Sequence, residues 1–393
     1  MNPVTILSGG RVLDPSTGRD EIADVVVRDG VVVAIGAGAG ALATAAANAA
    51  GSADAEIVDC AGLVVTPGLI DLHVHVYPGL GDFCLHPDRV GVRQGVPIVV
   101  DGGTSGSATF GLARKWIDDP DVQTKVLSFL DPCAIYFATK DFICHKLEIA
   151  NDERNLDIDL ARATLAANED VIVGMKVRVC STDDPEHSPF LDAAKEVAGE
   201  RPVMVHLGRF PFTPTIPTSV LLRELRGGDV ITHAFRGASG VLGEDGAVTA
   251  EFRDAVDRGV CLDIGHSGTD FRIATAQRMF DQGYLPTTIS TDLNVFNVDH
   301  PVISLAETMS KVWALGVPLE DVVAMTTTAP ATVVHREDEY GVLAEGRSAE
   351  VSVLRIEEGE HELSDGYETI RAERRLVPVG CLRAGTWIEA DAA

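Results

Sequence analysis

Two histidines one residue apart, His73 and His75, close the apolar stretch Leu69-Ile70-Asp71-Leu72-His73-Val74-His75. On an extended chain successive side chains alternate, so these imidazoles point to one side and can share a metal ion. Half-buried strands also carry such a pair without any metal. Three more groups that can ligate metal stand where apolar runs end: His206 after Val203-Met204-Val205, His233 after Val230-Ile231-Thr232, and Asp292 after Ile289-Ser290-Thr291. Each alone reads equally as a hydrogen-bonded core residue. Together they are four imidazoles and a carboxylate at the carboxyl ends of different strands, the face where barrels carry catalytic groups.

Lysine adds a second kind of chemistry. The chain has seven lysines, Lys115, Lys125, Lys140, Lys146, Lys176, Lys195 and Lys311, and Lys176 lies inside the apolar run Val171-Ile172-Val173-Gly174-Met175-Lys176-Val177-Arg178-Val179. A buried ammonium without a partner is costly and responds by losing its proton. The neutral amine can add carbon dioxide to form a carbamate, whose two oxygens can bridge two divalent ions; an ion pair with an inward carboxylate is the structural alternative. Arg178, two residues on, faces the same side as Lys176.

These groups need a scaffold that brings distant strand ends together. Eight short apolar runs, 69–76, 96–100, 126–130, 171–179, 203–207, 230–232, 260–264 and 287–290, alternate with polar, helix-competent stretches. Strands buried on both faces lose their alternation, as these have. Eight such strands with helical crossovers over ~270 residues match an α/β fold of the (β/α)8 TIM-barrel kind. Outside this region, residues 4–13, 22–35 and 56–65 before it, and 350–356 and 376–379 after it, read as short β segments between turn residues such as Asp14-Pro15-Ser16 and Asp29-Gly30. The two chain ends are therefore expected to meet in one small β-sandwich, with residues 1–65 and 341–393 flanking a barrel of residues 66–340. The Ala- and Gly-rich residues 36–54 lack a large apolar face and read as a surface loop or a loose helix.

Composition agrees with one large domain and a small companion. The 393 residues are 46% hydrophobic and 23% charged, with a formal net charge of −27. Such an acidic chain is unsuited to nucleic-acid phosphates or anionic membranes, although the charge also serves plain solubility. No uncharged apolar run reaches the ~18 residues of a membrane span, and Met1-Asn2-Pro3 opens no export signal, so a cytoplasmic location is expected. Seven scattered cysteines without a CxxC pair suit buried reduced thiols better than disulfides or a thiolate zinc site.

The stretch Pro67-Gly68-Leu69-Ile70-Asp71-Leu72-His73-Val74-His75 resembles the signature of the amidohydrolase superfamily of metal-dependent hydrolases. The resemblance continues in order through Val99-Val100-Asp101-Gly102-Gly103, Gly174-Met175-Lys176-Val177-Arg178, His206, Thr232-His233, Asp263-Ile264-Gly265-His266 and Ser290-Thr291-Asp292-Leu293. The Lys-Val-Arg and Asp-Ile-Gly-His pieces are most similar to the deacetylase branch, which acts on N-acyl amino acids or acylated 2-hydroxy acids. The resemblance implies two divalent ions, with zinc the expected occupant given nitrogen and oxygen ligands. His73, His75 and Asp292 would hold the more buried ion, His206 and His233 the second, and N6-carboxylated Lys176 would bridge them. A hydroxide between the ions would be the nucleophile, with Asp292 as general base and then acid.

Substrate recognition then falls to residues outside the ligand set. Arg178 and Arg236 are candidates for a carboxylate, each with a structural ion pair as the alternative role. His266 is a candidate substrate or supporting group, and Tyr77 an oxyanion donor or a packing residue. Asn294 and Phe235-Arg236-Gly237 stand where the branch carries other residues, which puts the substrate in doubt but leaves the ligands intact. The leading expectation is hydrolysis of an amide or ester in a small carboxylate-bearing molecule. A cyclic amidase similar to dihydroorotases and hydantoinases is the alternative, and a non-catalytic scaffold on the same fold is a remote one. A small-molecule substrate and a homo-oligomer, with no nucleic-acid or membrane partner, complete the expectations.

Overall fold

The computed structural model describes residues 4–49, 55–135, 152–178, 184–208 and 215–391, apart from the side chains of 46–49. Its strands are β1 (Val4–Asp14), β2 (Arg19–Arg28), β3 (Val31–Gly36), β4 (Glu56–Asp59), β5 (Val64–Pro67), β6 (Ile70–Val74), β7 (Ile98–Asp101), β8 (Lys125–Leu130), β9 (Ile172–Val177), β10 (Val203–His206), β11 (Val230–Thr232), β12 (Cys261–Leu262), β13 (Val351–Ser364), β14 (Thr369–Arg383) and β15 (Thr386–Glu389). β6 to β12 form one seven-stranded parallel sheet in sequence order, with every residue of β6, β7 and β9 buried. Helices such as Pro189–Ala198, Ala250–Asp257 and Leu305–Ala314 lie between or after these strands and bury apolar faces. This is the curled parallel sheet of a TIM-type α/β barrel.

The eighth run is not a regular strand. Residues 287–293 make only isolated parallel bridges, Thr288 to Asp263 on one side and Leu293 to Val74 on the other. Hydrogen bonds from Ile264 N to Thr288 O (3.1 Å) and from His75 N to Leu293 O (3.0 Å) still close the ring between β12 and β6. Thr291 and Asp292 turn their polar groups inward here, and Asp292 adopts a left-handed φ of 53°, which breaks the ladder.

Both chain ends build the second unit. Its eight strands follow the order β15-β14-β13-β5-β1-β2-β3, with β4 also on β1. The long β1 permits this branching, since Thr5–Ser8 pair with β4 and Arg11–Val12 with β5. Residues 39–49 form a helix, not a loop. Its apolar stripe consists of small side chains: Ala39 and Ala43, one turn apart, pack on Val4, Ile6 and Val26.

The β13–β14 hairpin reaches back to the barrel. At its tip, Asp365 Oδ2 accepts from Ile273 N (2.9 Å) and Glu368 Oε1 from Ala274 N (2.8 Å). These carboxylates satisfy the first free amides of the helix Ile273–Phe280, whose own N-cap residue, Arg272, makes no side-chain cap. Arg272 instead stacks its guanidinium on the Tyr367 ring. Cys60, Cys84, Cys133, Cys261 and Cys381 form no disulfide, and burial pushes the Cys84 thiol up to about 12. Cys144, Cys180, Val179, Lys140 and Lys146 lie outside the described residues. No helix among the described residues is long and apolar enough to cross a membrane.

Candidate metal centre

The mouth of the barrel holds a cavity of about 210 Å³ lined by His73, His75, Lys176, Arg178, His206, His233 and Asp292, together with Phe83, Ser267, Thr269, Asp270, Asn294 and Phe296. A larger hollow of about 630 Å³ beside Thr215–Leu221 has no titratable side chain among the described residues of its lining, whereas the smaller one gathers the ligand-type groups. Two sets of ligand-type atoms lie within 4.8 Å of one another: His73, His75 and Asp292, and His206, His233 and Asp270. Lys176 Nζ sits 3.1 Å from His73 Nε2 and is fully buried.

Local backbone choices make this convergence possible. His233 (φ 65°) and Asp292 (φ 53°) both adopt the left-handed conformation, which turns their side chains across the mouth at the point where their strands end. Non-glycine residues held there cost about 1 kcal/mol or more and cluster at functional sites. Gly102 and Gly103, at the end of β7, leave the space that the neighbouring side chains fill: a Cβ on Gly102 would overlap the His73 ring, and one on Gly103 the Lys176 stem.

Hydrogen bonds fix the rings. His233 Nδ1 lies 2.6 Å from Gly265 O, which only accepts, so Nδ1 carries the proton and Nε2 faces the cavity. His73 Nδ1 contacts Thr232 Oγ1 (3.0 Å) and His75 Nδ1 contacts Thr104 Oγ1 (2.7 Å). Asp71, fully buried, accepts from Thr291 N (3.1 Å) and Thr291 Oγ1 (2.6 Å) and so anchors the segment that presents Asp292.

Electrostatics favours the ligand forms. Burial holds the His73 and His206 imidazoles well below their usual range and brings His75 down to about 3, so all three are neutral near pH 7. Burial, with Arg178 beside it, lowers the Lys176 amine, and burial raises the Asp292 carboxyl. His233 Nε2 and Asp292 Oδ1 are buried without hydrogen-bond partners, although Asp292 Oδ1 lies 3.0 Å from His75 Nε2 and 3.5 Å from His73 Nε2. Neutral imidazole nitrogens gathered about a buried carboxylate oxygen, with His233 Nε2 and Asp292 Oδ1 lacking a hydrogen-bond partner among the described residues, fit divalent cations.

The remaining candidates fall in different places. Arg178 lines the cavity, 8% exposed, with Asp131 3.8 Å away. Arg236 does not line it. Its Nη1 donates to Leu207 O (2.8 Å) and pairs with Asp270 Oδ1 (3.1 Å), a brace between the segments after β10 and β12. Tyr77 is buried in the apolar core outside the lining, because β6 ends at Val74 and the alternation with His75 ends with it. His266 is also fully buried behind the wall, with Nε2 3.1 Å from Lys311 Nζ. Asp270, Phe83 and Phe296 were not legible as site residues, since they sit in loops. Asp101 and Asp263 had a signal, a carboxylate at the end of an apolar run, the same pattern that marks Asp292.

No family model matches the chain. Among curated proteins it is 32% identical to a deacetylase of Brucella anthropi over 363 residues, 91% of this chain and 85% of that protein. A deacetylase of Agrobacterium fabrum is 32% identical over 353 residues, 88% of this chain and 82% of that protein. Of solved structures, a dihydroorotase superposes with a TM-score of 0.83 at 28% identity, covering 99% of each chain. An adenine deaminase gives a TM-score of 0.84 at 24% identity over 99% of this chain and 100% of its own, which speaks for the fold alone. The chain therefore belongs to the amidohydrolase superfamily, in the branch of its deacetylase relatives, and is a hydrolytic enzyme acting on carbon–nitrogen bonds.

Proposed function

We propose that this enzyme is a binuclear, zinc-dependent deacylase that cleaves an amide or ester bond of a small carboxylate-bearing substrate. The observation that carries the reading is that two ligand sets and buried Lys176 line one cavity, with a guanidinium on its wall. His73, His75 and Asp292 would hold one ion, His206 and His233 the other, and carboxylated Lys176 would join them. When bound, the two ions supply Lewis acidity toward the scissile carbonyl and lower the pKa of a water toward ~7.

The protein's own groups do the rest. Asp292 accepts the proton released in the attack and returns it to the leaving nitrogen or oxygen, a task that suits a carboxyl raised by burial. Arg178 binds the substrate carboxylate in its planar fork. Phe83, packed on the His75 ring at 4.7 Å, and Phe296, 63% exposed at the rim, limit the water around the reacting bond. The likeness to a dihydroorotase supports a second reading, ring opening of a cyclic amide. Zinc-loaded enzyme screened against N-acyl amino acids, acylated 2-hydroxy acids and cyclic imides separates the two by product mass. Deacylation gives two products, whereas ring opening gives one that is heavier by a water. Turnover of none of these classes would refute both readings.

A further inference from the structure

The two histidines of the His73-Val74-His75 pair are backed in the same unusual way. Behind His75 Nδ1 stands the Thr104 hydroxyl at 2.7 Å, and this hydroxyl donates to Asp101 Oδ2 at 2.7 Å. Behind His73 Nδ1 stands the Thr232 hydroxyl at 3.0 Å, and it donates to Asp263 Oδ2 at 2.8 Å. Asp101 and Asp263 are fully buried, Asp101 as the last residue of β7 and Asp263 just after β12. Each carboxylate is well supplied with donors. Asp101 also accepts from Thr104 N (2.7 Å) and Val76 N (3.1 Å), and Asp263 from the hydroxyls of Thr288 (2.7 Å) and Ser290 (2.7 Å).

The proton count then leaves one arrangement. A carboxylate only accepts, so each threonine spends its single hydrogen on the aspartate and offers its imidazole an oxygen lone pair. Nδ1 of both histidines must therefore carry the proton, which leaves both Nε2 lone pairs on the side of the cavity, His75 Nε2 3.0 Å from Asp292 Oδ1 and His73 Nε2 3.5 Å from it and 3.1 Å from Lys176 Nζ. In the second ligand set His233 Nδ1 is fixed instead by the backbone carbonyl of Gly265 at 2.6 Å.

We propose that Thr104 and Thr232 are paired positioning residues: hydroxyl relays from Asp101 and Asp263 that lock the tautomer and ring orientation of His75 and His73 for the more buried ion alone. The inference rests on the binuclear reading above. Outer partners of this kind carry about 10- to 100-fold in metal affinity. Valine in place of either threonine keeps the shape and removes the relay without stranding a charge, because Asp101 keeps two backbone donors and Asp263 two hydroxyls.

The test is zinc retention. Wild type, Thr104→Val, Thr232→Val, Thr104→Ser and Thr232→Ser are loaded with zinc and bicarbonate, dialysed against rising chelator, and counted for zinc. The expected result is that each valine variant loses one of two ions at about 10- to 100-fold lower chelator than wild type. The second ion should be unchanged, and the serine variants should behave as wild type. Valine variants that hold both ions as wild type does, or serine variants that fail as the valines do, overturn the relay while leaving the binuclear centre standing. A wild type that binds no zinc overturns both. Nitrogen-15 histidine spectra of metal-free wild type give a check that needs no variant: His73 and His75 should appear as Nδ1–H tautomers, and Nε2–H tautomers would refute the proposal.

Discussion

Lys311 offers a quantitative test of how the barrel supports its site. The side chain is fully buried on the helix Leu305–Ala314, and among the described residues Nζ has His266 Nε2 (3.1 Å) and Pro301 O (2.7 Å) as hydrogen-bond partners. Burial lowers its pKa from 10.5 to about 8. Between these values the folded protein holds fewer protons than the unfolded chain, so stability rises with pH across the window; below about pH 8 the folded state bears the full cost of the buried charge. Integrating the linkage between about pH 7.5 and about pH 10 gives a gain of about 2.4 kcal/mol from this one group. Lys311→Met has no proton to titrate there. The stability of wild type relative to Lys311→Met should therefore increase by about that amount over the range, a relative Tm shift of about 3 °C for a chain of this size. Thermal melts of the two proteins in matched buffers make the measurement. Melting temperatures that stay parallel would show that Lys311 keeps an ordinary pKa, and the burial argument would fail.

Three further perturbations probe the site and its supports. Gly102→Ala places a methyl inside the His73 ring, which must retreat by about 1 Å, against a tolerance of about 0.2 Å for a metal ligand; metal counting should show one ion lost, and full retention would contradict the packing. Arg178→Met should raise KM for acidic substrates at least about tenfold while sparing neutral acyl compounds, as expected for a lost charge-assisted fork. Equal effects on both substrate kinds would make Arg178 a structural partner of Asp131. Asp365→Ala with Glu368→Ala should cost about 1 to 2 kcal/mol by removing the oxygens that accept from the first amides of the helix Ile273–Phe280, measured as a lower Tm and faster amide exchange in residues 273–276; unchanged exchange would mean that the hairpin tip does not cap it.

The chemistry was legible in the sequence where strand geometry is regular and failed where it is not. Alternation placed His73 with His75 and Lys176 with Arg178, and all four line one cavity although β6 ends at Val74 and β9 at Val177, one residue before the second member of each pair. Of the two roles open to Tyr77, the structure places it among the packed core residues, beyond the end of β6 at Val74. Residues 287–290 read as a strand from their apolar content, yet the inward polar groups at Thr291 and Asp292 and the left-handed backbone at Asp292 leave only isolated bridges. Arg236 had the position of an anion reader, but its charge is answered by Asp270, 34 residues later in a loop that no local pattern connects to it. The helix at 39–49 was ambiguous because alanine contacts carry no periodic signal of size.

The most direct test of the account is a metal count on protein purified without chelator and then supplied with zinc and bicarbonate. The account predicts about two ions per chain, falling in Lys176→Ala together with hydrolytic activity, because the carbamate that joins the two ligand sets cannot form. Less than about half an ion per chain in the wild type, or a Lys176→Ala protein that keeps two ions and full activity, would contradict it.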